Sequence, residues 1–463
     1  MTRFFSFPKL LALAALASPV ASAQNVILII GDGMDDQQIT AARNYLHGSN
    51  GQTILDTMPI RSAVQVLTVD NEHPEKAVYV ADSANSATAM ATGVTTSMGR
   101  IATTAKTDQD LTTIIELAED KGIKTGIVTT ASITDATPAS FVAHVSVRGC
   151  ETPERMVQYQ SHGDYVIDCT QDTQANGGLG SISEQLAVSN VDVLLGGGMN
   201  RFNKKAEGSE QTMLEQAKNH NFHVIEKLDD AKNVKPIEKM MGLFAGKHLP
   251  VRMQGTDGRI AEQPEFSFLN WFHKYLGTVS LPDEMACEAN PAFETENTPH
   301  LKDMTKVALN HLKNDKGFFL MVESASIDKE SHKRNPCGSI GEAEQLFETV
   351  QVALDFANQN ENTLILITAD HGQAAQIIPH ASMFNAYGVP VATPGAVARI
   401  RTPEGSLMGI NYATNEFSYE EHTGVNVPLF ANKNVKDKDG NLMIKGLIQQ
   451  REIFDITKAY LDL

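Results

Sequence analysis

An α/β fold is predicted for this chain: a three-layer sandwich in which a large, mostly parallel central sheet is flanked by helices. Three observations predict it. Short β-branched runs alternate with helical segments along most of the sequence, as in strand–helix–strand crossovers. The strand candidates are apolar along their whole length, as in sheets covered on both faces. Several of them stop at Gly or Asp, where open α/β sheets place their ligand crevice.

In chain order, residues 25–30 (NVILII) read as a buried strand that stops at Gly31-Asp32-Gly33. Residues 111–121 read as a helix with Gly122 as its stop. Residues 125–130 (TGIVTT) and 191–195 are the next strands, the second ending in Gly196-Gly197-Gly198. Residues 203–300 are less regular, richer in Lys, Glu, Gln and Pro, and carry Trp271, the one tryptophan. They are expected to be a peripheral elaboration within a single catalytic unit, 24–463. Leu301, Met304, Ala308 and Leu312 mark one helix face, and residues 318–322 form a strand running into Glu323. Leu346, Val350, Ala353, Leu354 and Ala357 mark a second helix face. Residues 363–368 form a strand running into Ala369-Asp370-His371.

Three of these strands deliver an acidic group at the carboxyl end: Asp32, Glu323 and Asp370. One such end is unremarkable. Three that converge in one crevice repel each other unless cations bind there.

The N-terminus has the pattern of an export leader. Arg3 and Lys9 precede an apolar stretch, Leu10 to Ala17, too short to span a bilayer, and Ala21-Ser22-Ala23 is a cleavage pattern. The expectation is a signal peptide over 1–23, a mature chain from Gln24, a periplasmic or secreted location and no membrane anchor. Loss of Arg3 and Lys9 takes the net charge from −18 to −20. That excludes nucleic acid as a partner, which needs a basic surface. It is compatible with an anionic substrate only where bound cations reverse the local field. Four cysteines, Cys150, Cys169, Cys287 and Cys337, none in a C-x-x-C pair, point to disulfides. Of the three connectivities open to them, 150–169 with 287–337 is the most local.

Five constellations carry chemistry, and each has a plainer reading beside it. Asp328 and His332 are four apart, on one face of a helical turn, an O/N pair suited to a zinc-type ion, or else a solvated polar turn. Asp370-His371 follows a buried strand, as metal ligands or as a helix cap with a bystander histidine. His422 stands in Glu420-Glu421-His422-Thr423-Gly424, by itself an ordinary surface histidine. The remaining eleven, such as His47, His73, His220, His223 and His273, default to structural or solvated roles. Asp82-Ser83-Ala84 reads as a helix start, which either caps the helix or holds a serine in the positive end of its dipole. Asp135-Ala136-Thr137-Pro138, followed by Arg148, offers hard oxygen ligands and a guanidinium fork, or a simple turn.

Taken together, these segments resemble the bacterial alkaline phosphatases. The resemblance runs in order through Ile30-Gly31-Asp32-Gly33-Met34, Asp82-Ser83-Ala84, Thr134 to Pro138, Ala143 to Arg148, Glu323 to His332, Asn335 to Gly338, Thr368 to His371 and Glu421 to Gly424. It implies that Ser83 is the nucleophile that becomes phosphoserine and that Arg148 grips the phosphate oxygens. It implies two Zn²⁺ and one Mg²⁺ per subunit: Asp328, His332 and His422 for the first zinc, and Asp32, Asp370 and His371 for the second. Asp32, Thr137 and Glu323 would hold the magnesium. Asp135 and Lys329 match positions just behind these ligands, Lys329 reaching phosphate through water. Two local disulfides are implied, matching the most local pairing. The implied activity is hydrolysis of phosphomonoester small molecules to inorganic phosphate and an alcohol. The implied assembly is a homodimer, here with little chain before the first strand where related enzymes carry an N-terminal arm.

Rival readings are a phosphodiesterase of the same superfamily and an exported metal- or phosphate-binding protein without turnover. Arg148 and Lys329 favour a dianionic monoester over a diester, and a binding protein has no use for an activated serine. A sulfatase is unsupported, because Ser83 is followed by Ala84-Asn85-Ser86-Ala87 and lacks the C/S-x-P-x-R context.

Overall fold

The computed structural model describes residues 23–162, 165–295, 298–379 and 393–463. The expected leader, apart from Ala23, lies outside the described residues. Ten strands form the main sheet: β1 (Gln24–Gly31), β2 (Ile60–Gln65), β3 (Lys124–Ser132), β4 (Val193–Gly197), β5 (Phe222–Ile225), β6 (Lys239–Leu243), β7 (Gly317–Ser324), β8 (Thr363–Ala369), β9 (Val427–Ala431) and β10 (Leu447–Gln449). Their spatial order is β10-β2-β9-β8-β1-β7-β3-β4-β6-β5. Strand β9 runs antiparallel to both neighbours, and every other adjacent pair is parallel.

Helices cover the sheet in two groups. Helices α1 (Asp36–His47), α5 (Leu301–Leu312) and α7 (Pro336–Gln359) pack together, as do α2 (Ser83–Thr92), α3 (Ile114–Asp120) and α8 (Glu452–Leu461). Two short helices, α4 (Ala136–Ala139) and α6 (Ser326–His332), follow β3 and β7. The predicted faces are where the core lies: Leu301, Met304, Ala308 and Leu312 on α5, and Leu346, Val350 and Ala353 on α7, are buried. Every residue of β7 and β8 is buried, which explains why these strands lack alternation.

Several element bounds differ from the sequence expectation by a few residues, and local features set where elements begin and end. Helix α3 begins at Ile114, not at residue 111, because Thr113 and Glu116 form a capping box that starts it there. Strand β4 runs through Gly196 and Gly197; a Cβ at Gly197 would stand 1.8 Å from the Lys247 carbonyl oxygen, so only glycine lets the two backbones approach. Helix α7 begins ten residues before Leu346, where Asn335 caps it and Pro336 occupies its first position.

Within 203–300, β5 and β6 are the last two strands of the main sheet at one edge. Farther along, Glu284–Met285 joins Ala396–Arg401, Leu407–Tyr412 and Gln376–Ile378 in a separate four-stranded sheet. Trp271 is exposed. The cysteines pair as Cys150–Cys169 and Cys287–Cys337, closing loops of 19 and 50 residues. Loops of that size contribute roughly 3–4 kcal/mol each in the chain-entropy account. The second bridge anchors the start of α7, directly after α6.

Candidate active site

The site is set by sheet order. Strands β8, β1 and β7 are adjacent and parallel, with Ile30 level with both Thr368 and Glu323. Their carboxyl ends therefore bring Asp370, Asp32 and Glu323 side by side, all at most 2% exposed. Asp370 is held by its own turn: its Oδ1 accepts from the Gly33 amide at 2.9 Å and the His371 amide at 3.0 Å. No helix starts there, so the capping alternative for Asp370 does not apply.

His371 points its Nε2 at three oxygens. Asp32 Oδ1 and Asp370 Oδ2 lie 3.3 Å away and Ser83 Oγ lies 3.1 Å away. Its Nδ1 faces the Gly372 carbonyl at 3.3 Å, which assigns the ring proton to Nδ1 and a lone pair to Nε2. Burial and the neighbouring His422 push the ring down to about 4 against the pull of Asp370, so it is neutral. Asp32 Oδ1 and Asp370 Oδ2 are buried without a hydrogen-bond partner among the described residues. A lone pair facing two orphaned carboxylate oxygens is repulsive unless a cation sits between them. Burial raises the Asp32 carboxyl well above the ordinary range, and Asp328 and Asp370 add to this while Lys329 opposes it.

A second cluster adjoins the first. Helix α6 carries Asp328 and His332 one turn apart, and the loop before β9 brings in His422. Asp328 Oδ1 lies 3.3 Å from His332 Nε2 and 3.4 Å from His422 Nε2, and the two Nε2 atoms are 3.1 Å apart. Each ring turns Nδ1 to a backbone carbonyl, His332 to Glu420 and His422 to Ala81. Ligand atoms lie within 4.8 Å of one another in two groups, Asp328–His332–His422 and Asp32–Asp328–His371. Mixed N/O donors with their other ring nitrogens fixed by carbonyls fit zinc-type ions.

Glu323 takes its side-chain hydrogen bonds from hydroxyls. Thr129 donates to it at 2.5 Å and the Thr137 hydroxyl also bonds it. Burial pushes its carboxyl up to about 7, with Lys329 opposing. Oxygen donors of this kind suit a small hard cation.

Ser83 is the first residue of α2, 3% exposed, with Asp82 as the cap that accepts from the Asn85 amide at 3.1 Å. Capping and an activated serine are thus compatible, because Asp82 takes the capping role and leaves the Ser83 hydroxyl free to face His371. Arg148 reaches Asp82 and Asp135, each at 3.3 Å, and its side chain stays one-third exposed. Lys329 lies 2.7 Å from Asp135 and 4.0 Å from Asp32. Burial would raise the Asp135 carboxyl, but Lys329, His248 and Arg148 hold it well below the ordinary range. These groups line one cleft of about 430 Å³, together with Val80, Met98, His248, Tyr419 and Glu421.

All ten predicted catalytic and metal residues, with Asp135 and Lys329, are therefore placed in or directly behind this cleft. Sequence reasoning missed four neighbours. His248 approaches Asp135 at 3.9 Å and accepts from the Ser132 amide at 3.2 Å. Gln373 donates to Asp328 at 2.5 Å. Tyr419 stacks on His332 with ring centroids 4.2 Å apart. Glu420, fully buried, takes an ion pair from Arg334 at 2.6 Å and so anchors the loop beside His422. None of the four stands in a local pattern; only Glu420 lay within a segment already singled out.

Comparison with known proteins identifies the family. The sequence profile of the alkaline phosphatase family matches residues 23–418. Streptomycin-6-phosphate phosphatase of Streptomyces griseus is 36% identical over 455 residues, covering 96% of this chain and 91% of its own length. Alkaline phosphatase of Escherichia coli K12 is 36% identical over 449 residues, covering 95% and 86%. The structure of alkaline phosphatase from the Antarctic bacterium TAB5 shares the fold, with a TM-score of 0.65 at 22% identity over 95% of this chain and 99% of that one. On the breadth of that family match and the identity to those relatives, the chain belongs to the alkaline phosphatase family and is a metal-dependent enzyme that hydrolyses phosphate monoesters.

Proposed function

We propose that hydrolysis proceeds through a covalent phosphoserine at Ser83, in a site that holds two Zn²⁺ and one Mg²⁺. The observation that carries this reading is the Ser83 hydroxyl at the start of α2, 3.1 Å from His371 Nε2 and in one cleft with Arg148. Asp328, His332 and His422 would hold one zinc, and Asp32, Asp370 and His371 the other. Asp32, Glu323 and Thr137 would hold magnesium. When bound, these cations supply Lewis acidity that favours the serine alkoxide and offsets charge on the oxygens being exchanged.

The chain's own residues do the rest. Arg148 forks onto two non-bridging oxygens of the phosphoryl group and fixes it in line with Ser83. Ser83 Oγ forms a bond to phosphorus as the bond to the alcohol oxygen breaks, and the alcohol leaves after taking a proton. Water then attacks the phosphoserine, the Ser83–phosphorus bond breaks, and Ser83 recovers its proton as inorganic phosphate departs. Two in-line inversions give net retention at phosphorus. Asp135 holds Lys329 and Arg148 in place, so both cations are aimed before substrate arrives. The positive end of the α2 dipole adds to the stabilisation of the serine oxygen.

Export through the leader at 1–23, a periplasmic or secreted location and a homodimeric assembly belong to the same proposal. Among the described residues no helix is long and apolar enough to cross a membrane. The test is turnover of p-nitrophenyl phosphate against its bis-ester, with metal analysis of the purified mature protein. Monoester preference with two zinc and one magnesium per chain is expected; preference for the diester would overturn the reading.

A further inference from the structure

We infer that Tyr419, with Val80 and Met98, forms an apolar collar for the alcohol half of the substrate, so that esters of flat, aromatic alcohols are favoured over those of small polar alcohols. The inference rests on the proposed placing of the phosphoryl group between Ser83 and Arg148. The cleft is two-toned. Its floor is charged or polar, with Ser83, Asp135, Arg148, Asp328 and Lys329. The apolar residues that line it are Val80, Met98 and Tyr419, which are 37%, 53% and 55% exposed. Apolar side chains that open onto solvent beside a charged floor are costly to keep there. They become favourable once an apolar group of the ligand covers them.

Tyr419 is held for this use. Its ring lies parallel to His332, with centroids 4.2 Å apart and planes at 12°. His332 is itself fixed by its bond to the carbonyl of Glu420, the residue next to Tyr419. The ring therefore meets the ligand without first losing rotamer freedom. It also stands directly beside His332, which with Asp328 and His422 would hold one zinc, and lines the same cleft as Ser83 and Arg148.

The test uses the metal-loaded enzyme and the ratio of kcat/KM for phenyl phosphate to that for glycerol 2-phosphate, each variant referred to wild type. Tyr419→Ser should lower this ratio about fivefold, the worth of one aromatic contact. Tyr419→Phe should keep the ratio within about twofold, since the ring remains. Met98→Gln, at an exposed position that leaves the His332 stack intact, should lower it roughly twofold by the apolar area it removes. A Tyr419→Ser enzyme that slows on both esters by one factor would overturn the proposal, because the ring would then serve only to hold His332. A Tyr419→Phe enzyme that loses the ratio as fully as Tyr419→Ser would also overturn it, by assigning the effect to the hydroxyl. Wild-type enzyme that labels no serine with phosphate while cleaving both esters would instead overturn the reading of Ser83, whatever the ratio does.

Discussion

The Nε2 atoms of His332 and His422 lie 3.1 Å apart, and each ring turns its Nδ1 to a backbone carbonyl. With the ring protons taken by the Glu420 and Ala81 carbonyls, two lone pairs face each other next to Asp328. Asp328 draws His422 toward its protonated form against the cost of burial. A divalent cation satisfies all three donors at once, which a single shared proton does not.

Removing one of these donors should remove a metal. His422→Ala is expected to lose about one zinc per chain by elemental analysis and to lower kcat/KM beyond the roughly 10- to 100-fold that an outer hydrogen bond is worth. Full zinc content in the variant would contradict the assignment.

Chelation should separate the sites by their donor chemistry. EDTA-treated enzyme is expected to need zinc for recovery, with magnesium enhancing the zinc-restored rate, because Glu323 and Thr137 offer oxygen only. Complete recovery with magnesium alone would show that the imidazole clusters do not hold zinc.

Ser83→Ala should keep its metals and lose at least about 10³-fold in turnover, since no hydroxyl remains to accept the phosphoryl group. Labelled phosphate, trapped on the wild-type protein at acid pH, should map to Ser83 and vanish in the variant. Unchanged turnover would sink the nucleophile role.

Arg148→Ala should raise the inhibition constant for inorganic phosphate about 10- to 100-fold, the range expected for lost charged hydrogen bonds. Arg148→Lys should recover only part of this, having the charge without the fork. An unaltered constant in the alanine variant would count against the role.

Away from the cleft, Glu342 on α7 should make stability fall with rising pH. Burial pushes its carboxyl from 4.5 up to about 7, and Glu330 adds to this, against hydrogen bonds from the Arg252 amide and Gln345. The folded chain thus keeps a proton that the unfolded chain releases. This contribution is fully present below 4.5 and is lost as pH rises through 7. It is on the order of 3 kcal/mol. Glu342→Gln should therefore gain more thermal stability over wild type at about pH 9 than at about pH 5. Equal differences at both would refute the shift.

Much of this site is legible in one dimension because its parts are local. The apolar run from Asn25 to Ile30 specifies a strand buried on both faces, and the acid after it specifies what that strand delivers. The four-residue spacing of Asp328 and His332 puts both on one turn of helix, and the small residues after Ser83 start another. These features depend on hydrogen bonds and side-chain spacing within a few residues, so the sequence alone determined the fold class, the strand ends and the helix-start serine. The tertiary structure decided which strands are neighbours, and hence that Asp32 stands between Glu323 and Asp370. It decided which imidazole nitrogen is free, since the Ala81 carbonyl that orients His422 comes from a segment 341 residues away. It also brought in His248, Gln373 and Tyr419, whose partners are distant in sequence. Their positions follow from loop packing, a balance of many weak long-range contacts that no local pattern of residues records.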